Sequence, residues 1–565
     1  MRKNTLALLL VALTIGFVGC IKDRLVLDDN IALDGLNPSF AAPLLDVSLN
    51  MGDLEQNIDD ENFIYNEENA SFAMIYPKEL FTLRANDFLS FPSLSEEFAF
   101  TAGGAETVTL NNSPVGATIS FSAEDEVSVN TSFGIALDSA LVQSGFINIE
   151  LNSQIPHDTQ VLLTIPGLTS NGNEFSEAVD LIYTGSVPFE ASGSFDISGY
   201  VLDLTDNGAT TNYLLVEADI EMTSSGTMTN LGDQVTMEYS FDPLNYAWVF
   251  GDFAQQTEVL GVDTQEISLY KDINGGVLHF ENPSIELYFN NSTGIPFEFE
   301  FLSLIAPENQ VASELTGPDL ENFPIIEGAA VLGDDVLTTH TINNEGTSPT
   351  LSAMLDEEPF KVIYNSSITM NPGGESENFL MDSSRISARA NIILPFYGYA
   401  DNFTLSDTLA LDLEKELGVD DPDPDEVLNH EDIERVTLRI LVDNGLPVDM
   451  GVQLVLLDSL NNTIDSVFTN QDFANIFESG IVDFSLPLSD PDHGKVIQNT
   501  VRTTAIVVTQ NDLQFWLENN VKKVIVRAFG SSNMGNEDEL IKLYPEYNIG
   551  VEVSAKVDAQ IDTTE

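Results

Sequence analysis

A strand–turn–strand pattern that occurs three times is the strongest constraint on the fold of this chain. The three segments span residues 147–165, 285–304 and 438–456, and each begins and ends with apolar residues at every second position. Alternation with a period of two predicts β-strands that have one buried face. Between the two strands of each segment lies an asparagine, followed by an aliphatic residue and a proline. The asparagines are Asn152, Asn291 and Asn444, and the prolines are Pro156, Pro296 and Pro447.

These residue types suit a tight connection between two strands. Asparagine tolerates turn conformations and can bond its own backbone. Proline at the first residue of a strand gives up a backbone donor where no ladder bond is needed. Each segment is therefore predicted to form a bent strand pair at the edge or corner of a sandwich.

The repeats lie about one domain length apart, since Pro156, Pro296 and Pro447 are separated by 140 and 151 residues. The sequence predicts an all-β fold of several immunoglobulin-like β-sandwich domains in tandem, with one short helix near the C-terminus. The predicted boundaries are an N-terminal β region at 36–138, β-sandwiches at 139–272, 273–418 and 433–565, and an acidic Pro/Asp linker at 419–432. In the alternative arrangement, two of the three hairpins share one larger sandwich.

The N-terminus indicates export. Arg2 and Lys3 precede an apolar run over residues 6–18, which is shorter than the roughly 20 residues that a membrane-spanning helix needs and is typical of a signal peptide. Cys20 follows this run and is the only cysteine of the 565 residues, so the sequence has no intramolecular disulfide. In the alternative interpretation, the protein is an ordinary secreted one with a chance cysteine near its cleavage site.

The segment FVGC, which ends at Cys20, resembles a bacterial lipobox, although Phe17 stands where leucine is usual. The resemblance implies a signal peptide over residues 1–19, acylation of Cys20 and a lipidated tether over residues 20–35. Several acyl chains hold a protein stably on a membrane.

The charge of the chain excludes several partners. There are 91 acidic and 20 basic residues, which gives a net charge of −71. Removal of residues 1–19 takes away two bases and no acids, so the mature chain has 91 acids, 18 bases and a charge of −73. Nucleic acids and anionic lipid headgroups repel such a chain, and neither is an expected partner.

Further segments resemble surface lipoproteins of Bacteroidota. These are LNPSFAAPLLDVSLNMGDL at 36–54, FENPSIELYFNNSTGIP at 280–296, DNGLPVDM at 443–450 and the Lys22–Asp23 pair after the cysteine. The resemblance implies an outer-membrane lipoprotein exposed at the cell surface, with a periplasmic location as the alternative. It implies no catalytic residues.

Catalytic motifs are scarce in the sequence. The five histidines are far apart and form no H-x-x-x-H or H-E-x-x-H pair, and there is no G-x-S-x-G elbow, P-loop or G-x-G-x-x-G fingerprint. A glycosidase pair of carboxylates stays open, because its spacing is spatial rather than sequential. We expect a protein without enzymatic activity and without a cofactor.

One acidic stretch has the spacing of a calcium loop. Its candidate ligands stand at positions one, three, five, nine and twelve of an EF-hand count, and they are Asp421, Asp423, Asp425, Asn429 and Asp432. Position six is Glu426, where the EF-hand turn requires glycine. A Pro/Asp-rich linker explains the same residues without calcium.

Two aromatic clusters are candidate ligand platforms. The first is Tyr246, Trp248 and Phe250, predicted to lie on one face of a strand, and the second is the turn of Phe396, Tyr397 and Tyr399. In the alternative, both are parts of the core. The sequence thus predicts a lipid-anchored protein that binds another envelope protein or a surface glycan through its β-sandwiches. The two alternatives are a glycan-binding lipoprotein of a nutrient-uptake system and an accessory lipoprotein of an outer-membrane assembly or transport complex.

Overall fold

The computed structural model describes residues 39–50, 63–66, 71–91, 93–129, 131, 134–206, 208–271, 275–307, 312–411, 432–468, 474–487, 490, 492–532 and 539–560. The described chain is all-β, with several antiparallel sheets and a few short helices. The predicted fold class is confirmed.

The strands of the first part of the chain are β1 (Ser39–Asn50), β2 (Phe63–Asn66), β3 (Ser71–Arg84), β4 (Leu94–Thr101), β5 (Thr118–Ser128), β6 (Ala136–Ser144), β7 (Phe146–Ser153), β8 (Asp158–Ser170), β9 (Asn173–Leu181), β10 (Phe189–Asp196), β11 (Val201–Asp203), β12 (Tyr213–Thr223), β13 (Gln234–Phe241), β14 (Asn245–Asp252) and β15 (Gln256–Glu266). The strands of the middle part are β16 (Val277–Phe280), β17 (Ser284–Asn291), β18 (Phe297–Pro307), β19 (Ala312–Glu314), β20 (Val336–Asn343), β21 (Lys361–Met370), β22 (Asn378–Met381), β23 (Arg385–Pro395), β24 (Tyr397–Asp401) and β25 (Phe403–Ala410). The last strands are β26 (Ile433–Asn444), β27 (Val448–Leu457), β28 (Thr463–Ser466), β29 (Ala474–Phe477), β30 (Ile481–Asp483), β31 (Lys495–Gln498), β32 (Thr500–Thr509), β33 (Lys523–Ser532), β34 (Ile541–Lys542) and β35 (Asn548–Ala559).

The helices are α1 (Ala85–Phe88), α2 (Gly104–Asn112), α3 (Pro318–Glu321), α4 (Leu351–Leu355) and α5 (Gln510–Glu518), with 3₁₀ turns at Ser268–Lys271 and Asn344–Gly346. Helix α5 is the predicted C-terminal helix. Thr509 caps it, because its side chain accepts from the Asp512 amide while the Asp512 carboxylate bonds the Thr509 amide. Trp516 is buried, and Phe515 is exposed.

The three repeats occupy equivalent strands of three sheets. Strands β7, β17 and β26 each lie third in a run of four strands with the same order, and the runs are β4–β13–β7–β10, β3–β23–β17–β20 and β1–β35–β26–β32. The second strand of each repeat belongs to a second sheet, and here too the orders correspond, as β5–β12–β8, β15–β21–β18 and β25–β33–β27. We name the three units the first, second and third sandwich.

The sandwiches are nested along the chain rather than placed one after another. The strands of the first sandwich run from β4 to β14, and β3 and β15 on either side of them belong to the second sandwich. The second sandwich is in turn flanked by β1 and β25 of the third sandwich, so that β1 near the N-terminus pairs with β35 near the C-terminus.

The strand pairing differs from the predicted domain boundaries. The segment 36–138 does not form a region of its own, because β1, β3 and β4 complete the sheets of three different sandwiches. The boundary at 272/273 separates β15 from its partner β21 and β14 from its partner β22. One continuous core of buried residues runs through the first two sandwiches, and a second core fills the third. This pairing favours the alternative in which the first two repeats share one larger body.

Candidate functional site

Two of the predicted sites fall outside the described residues. Cys20 lies there, as do Asp421, Asp423, Asp425 and Asn429 of the candidate calcium loop. Asp432 is described, and its backbone carbonyl accepts a hydrogen bond of 2.8 Å from the amide of Gln560. Among the described residues, no group of three His, Cys, Asp or Glu side chains is arranged to hold a metal ion.

The turn of the second sandwich is held by the side chain of Asn291, which is fully buried. Its amide nitrogen donates to the carbonyls of Ile295 at 2.8 Å and Glu327 at 3.0 Å. Its amide oxygen accepts from the backbone and the hydroxyl of Thr293 at 3.0 and 2.8 Å. A single side chain therefore closes the turn and ties it to a third segment.

The turn of the third sandwich uses Asn444 in the same way. Its amide nitrogen donates to the carbonyls of Val448 at 3.0 Å and Glu478 at 2.9 Å, and its oxygen accepts from the Leu446 amide at 2.9 Å. We call Asn291 and Asn444 the clamp asparagines, because each satisfies buried backbone groups that no strand pairs.

The turn of the first sandwich is built differently. Asn152, which the sequence pattern aligns with the clamp asparagines, instead bonds the carboxylate of Glu190 at the surface, at 3.1 Å. The buried groups of this turn are Ser153 and His157. The two nitrogens of His157 face the hydroxyls of Ser225 at 3.3 Å and Thr229 at 3.2 Å, and burial lowers its pKa.

The two clamped turns can be superposed residue by residue through their backbone bonds. The residue after the clamp donates its amide to a carbonyl on the next strand, from Ser292 to Arg385 at 3.0 Å and from Gly445 to Asn548 at 2.8 Å. Arg385 in the second sandwich thus stands where the third sandwich has Asn548.

The neighbouring strand on the other side of each clamp asparagine, β20 or β32, gives a second pair of equivalent positions in the two turns. The clamp asparagines pair with Val336 and Thr500, and the residues that precede these are Asp335 and Asn499. The residues immediately before the clamps are Asn290 and Asp443. Three positions around the turns therefore differ in chemistry while the clamp itself is the same.

At the turn of the third sandwich, an amide satisfies its neighbours. Asn499 donates to the carboxylate of Asp443 at 2.9 Å and to the side-chain oxygen of Asn548 at 3.2 Å. Its Oδ1 and the carbonyl of Asn548 lie within 3.0 Å of where a Cβ on Gly445 would stand. Side chains and backbone therefore fill the space around this turn.

At the turn of the second sandwich, no such bridge can form. Asp335 carries a carboxylate, which has no proton to donate at neutral pH. Asn290 Oδ1 is buried and has no hydrogen-bond partner among the described residues. A cleft of about 450 Å³ opens here. Its lining residues are Asn290, Ser292, Gly333, Asp335, Met381, Ser383, Ser384 and Arg385.

The frame of this cleft is tied together by hydroxyl groups. Ser292 Oγ accepts from the Arg385 amide at 2.9 Å and donates to the Arg385 carbonyl at 3.1 Å. Ser384 Oγ donates to the Ser292 carbonyl at 2.9 Å and accepts from the Met381 amide at 3.1 Å. The walls are therefore fixed, and the side chains of Asp335, Ser383 and Arg385 are exposed on them.

Arg385 supplies the positive charge of the cleft lining. Within the described residues its guanidinium forms no ion pair, whereas Arg435 bonds Asp558 and Arg502 bonds Glu478. A guanidinium has five donors. Those of Arg385 are available to a ligand in the cleft.

A pair of aromatic rings lies beside the cleft. Trp248 on β14 stands directly opposite Met381 of the cleft wall, so the two side chains share a face of the sheet. Trp248 and Phe250 are half-buried, and their ring centroids are 5.3 Å apart in an edge-to-face contact. The indole therefore lies on the strand that borders the polar groups.

Tyr246 does not belong to this face, contrary to the sequence prediction. The register of β14 shifts between Tyr246 and Trp248, where Ala247 forms a bulge. The bulge turns Tyr246 inward against Phe91, with ring centroids 5.9 Å apart. Burial raises the pKa of the Tyr246 hydroxyl.

The rings of the second predicted platform contact neighbouring side chains. Tyr399 stacks on His279 with ring centroids 4.9 Å apart, and the ammonium of Lys542 lies 4.8 Å from the ring centre of Tyr397. Phe396 is half-buried, with its ring centroid 6.5 Å from that of Phe280. Each of the three rings therefore has a neighbour on one side, and the platform stays a prediction.

His279 is held by two carboxylates at this position. Its Nδ1 lies 2.8 Å from Asp356 and its Nε2 lies 3.3 Å from Glu281. The bond to Asp356, more than that to Glu281, raises the pKa of His279 against the opposing effect of burial. The imidazole packs on the face of the Tyr399 ring.

Sequence reasoning found Trp248 and Phe250 but missed the polar groups of the cleft. Asn290 stands in the segment FNNSTGIP, whose asparagines were interpreted only as turn residues. Arg385 and Asp335 come from separate segments, and no local pattern marks them.

The comparisons with known proteins give no assignment. No protein-family model and no curated protein match the chain. Among solved structures, it is similar to a predicted secreted protein from Parabacteroides distasonis, at 9% identity and a TM-score of 0.23, over 92% of this chain and 99% of that one. It is also similar to a protein in the structure of Sulfolobus turreted icosahedral virus, at 10% identity and a TM-score of 0.12, over 84% of this chain and 99% of that one. At these TM-scores the similarities assign no function to the chain.

Proposed function

We propose that this chain is a lipid-anchored, non-enzymatic binding protein at the outer surface of the outer membrane, and that it binds a glycan in the cleft beside Trp248. The location rests on the leader sequence and on the lipobox-like segment that ends at Cys20. No helix in the described part of the chain is long and apolar enough to cross a membrane.

The observation that carries the glycan proposal is the set of free polar groups next to the indole. Asp335, Arg385 and Ser383 are exposed on a fixed wall, and Asn290 Oδ1 has no partner in the described chain. Sugars present hydroxyl groups that both donate and accept, and apolar ring faces that stack on aromatic side chains. A few placed polar groups together with an aromatic surface are the usual composition of a ligand site.

The lining of the cleft supports binding rather than hydrolysis. Glycoside hydrolysis uses a pair of carboxyl groups on either side of the scissile bond. Asp335 is the one carboxylate among the described residues that line this cleft. The lining itself therefore supplies one of the two acids that hydrolysis uses and is better suited to holding a sugar.

A glycan array with the full mature chain tests the binding role. We expect at least one class of polysaccharide to bind, and Trp248→Ala to lower its affinity about tenfold, because the stacking surface is lost. Phe515→Ala is the matched control, since Phe515 is an exposed aromatic residue on α5 of the third sandwich. Unchanged binding by Trp248→Ala would contradict the proposal.

The anchor has its own test. Mass spectrometry of the protein from native membranes should find a mature N-terminus at Cys20 with acyl groups attached, and Cys20→Ser should release the chain from the membrane fraction. An intact leader or an unmodified thiol would remove the proposed location. Protease treatment of whole cells then separates the outer face from the periplasmic one.

A further inference from the structure

We propose that the cleft selects neutral glycans over acidic ones, an inference that rests on the proposed function. It follows from the charged groups around the cleft and from the net charge of the chain. A ligand must satisfy a guanidinium and a carboxylate that line the same cleft and do not pair with each other.

The two charged groups of the lining need ligand groups of opposite hydrogen-bonding type. Asp335 accepts hydrogen bonds, as does the unpartnered Asn290 Oδ1, whereas Arg385 only donates. A hydroxyl group both donates and accepts, so a pair of neighbouring sugar hydroxyls can bond Asp335 and Arg385 together. A carboxylate or sulfate could bond Arg385 alone and would face Asp335 unpaired.

The surroundings of the cleft add to this preference. Asp334 and Asp382 are exposed and adjoin lining residues along the chain. Together with Asp335 they make three carboxylates, whereas two guanidiniums lie on this side, those of Arg385 and of Arg84, which stands directly opposite it in the pairing of β3 with β23. At a salt concentration near 0.15 M, charges within about 8 Å still act on one another. An acidic sugar therefore approaches more carboxylates than guanidiniums around the cleft, on a mature chain with a charge of −73.

Matched pairs of glycans test the inference directly with the full mature chain. Suitable pairs are polygalacturonan with its carboxyl-reduced form and a sulfated galactan with its desulfated form. In every pair that binds, we expect the uncharged member to bind at least about tenfold more tightly, measured by isothermal titration at about 0.15 M salt. Equal or tighter binding of the acidic member would overturn the inference and leave the proposed function standing.

A double variant separates local charge from the binding groups. Asp334→Asn with Asp382→Asn removes two carboxylates that do not line the cleft. We expect the affinity for the acidic member of a pair to rise several-fold, about two- to threefold for each charge, with the neutral member unchanged within about twofold. An unchanged ratio between the two members would contradict the inference. Absence of binding to every glycan of the panel would overturn the proposed function, and the inference with it.

Discussion

The turns at Asn291 and Asn444 have the same backbone architecture and opposite surroundings. In both, a buried asparagine donates to two carbonyls and accepts from the backbone amide two residues ahead. In the third sandwich the neighbouring polar groups bond one another through Asn499. In the second sandwich they line an open cleft and Asn290 Oδ1 has no described partner.

The comparison indicates that the asparagine clamp is a structural feature shared by the two turns, whereas the cleft is specific to the turn of the second sandwich. At these two turns a buried side-chain amide satisfies carbonyls that would be costly to leave unpaired, whereas the first sandwich buries Ser153 and His157 at its turn. The residues around the clamp are free to vary, since they reach solvent. At one of these positions the second sandwich has the carboxylate of Asp335, which cannot donate the bonds that the Asn499 amide donates in the third.

The largest expected effect is the loss of a clamp. Asn444→Ala leaves the carbonyls of Val448 and Glu478 and the amide of Leu446 without a partner. We therefore expect the third sandwich to lose about 3 kcal/mol of stability. Asn291→Ala should cost the second sandwich a similar amount. Hydrogen exchange measures each sandwich separately. Asn152→Ala is the control and should cost under about 0.5 kcal/mol. Equal effects at all three positions would show that the clamp is not specific to two turns.

Breaking the bridge of the third sandwich should have a smaller effect. Asn499→Asp removes both donated bonds and places a carboxylate beside that of Asp443. We expect a loss of about 2 kcal/mol, which shrinks as acid protonates the pair. The measurement is exchange of the amides around residues 443–447 at two pH values. A variant as stable as the parent would mean that the hydrogen bonds of Asn499 do not contribute to the stability of this turn.

The reverse exchange should close the second site. Asp335→Asn supplies an amide that can donate to Asn290 Oδ1, so we expect a gain of about 1 kcal/mol in local stability together with weaker glycan binding. Calorimetric unfolding and titration with the bound glycan measure the two changes on one sample. Loss of binding without any gain in stability would indicate that Asp335 contacts the ligand but that the lack of a partner at Asn290 Oδ1 does not lower the stability.

The smallest expected effect concerns the turn without an asparagine clamp. Burial lowers the pKa of His157, so the unfolded chain takes up a proton before the folded chain does as the pH falls through about 6.5. Stability is therefore present at neutral pH and declines on acidification, by at most about 0.8 kcal/mol between pH 7.5 and 6 for this one group. His157→Gln should flatten that part of the pH profile of exchange in the first sandwich. A profile that keeps its slope would assign the effect to other groups.

Local alternation was enough to find the repeated strand pairs and the all-β fold. It also identified Asn291 and Asn444, because turn residues and strands are set by neighbours along the chain. It misplaced Asn152, since the choice between a buried clamp and a surface bond depends on which segment crosses the turn. Helix α2 was missed because only Leu110 among its residues is buried, so it carries no apolar period.

The nested chain path and the cleft could not be read from local pattern. The Ser39 hydroxyl donates to the Asp558 carboxylate, although the two residues lie near opposite ends of the sequence. No local pattern in either segment predicts this pairing. The cleft combines residues 290–292, 333–335 and 381–385, and its aromatic neighbour Trp248 is brought there by the pairing of β14 with β22. The face of β14 on which Tyr246 lies depends on a β-bulge, and the alternation of apolar and polar residues in the sequence does not predict that bulge.

Hydrogen exchange of the full chain with and without a bound glycan tests the central claim most directly, because it compares both turns in one experiment. The account predicts slower exchange of amides at 289–294 and 381–386 and no change at 443–447 and 547–549. Protection confined to the third turn, or protection that leaves the second turn untouched, would contradict it.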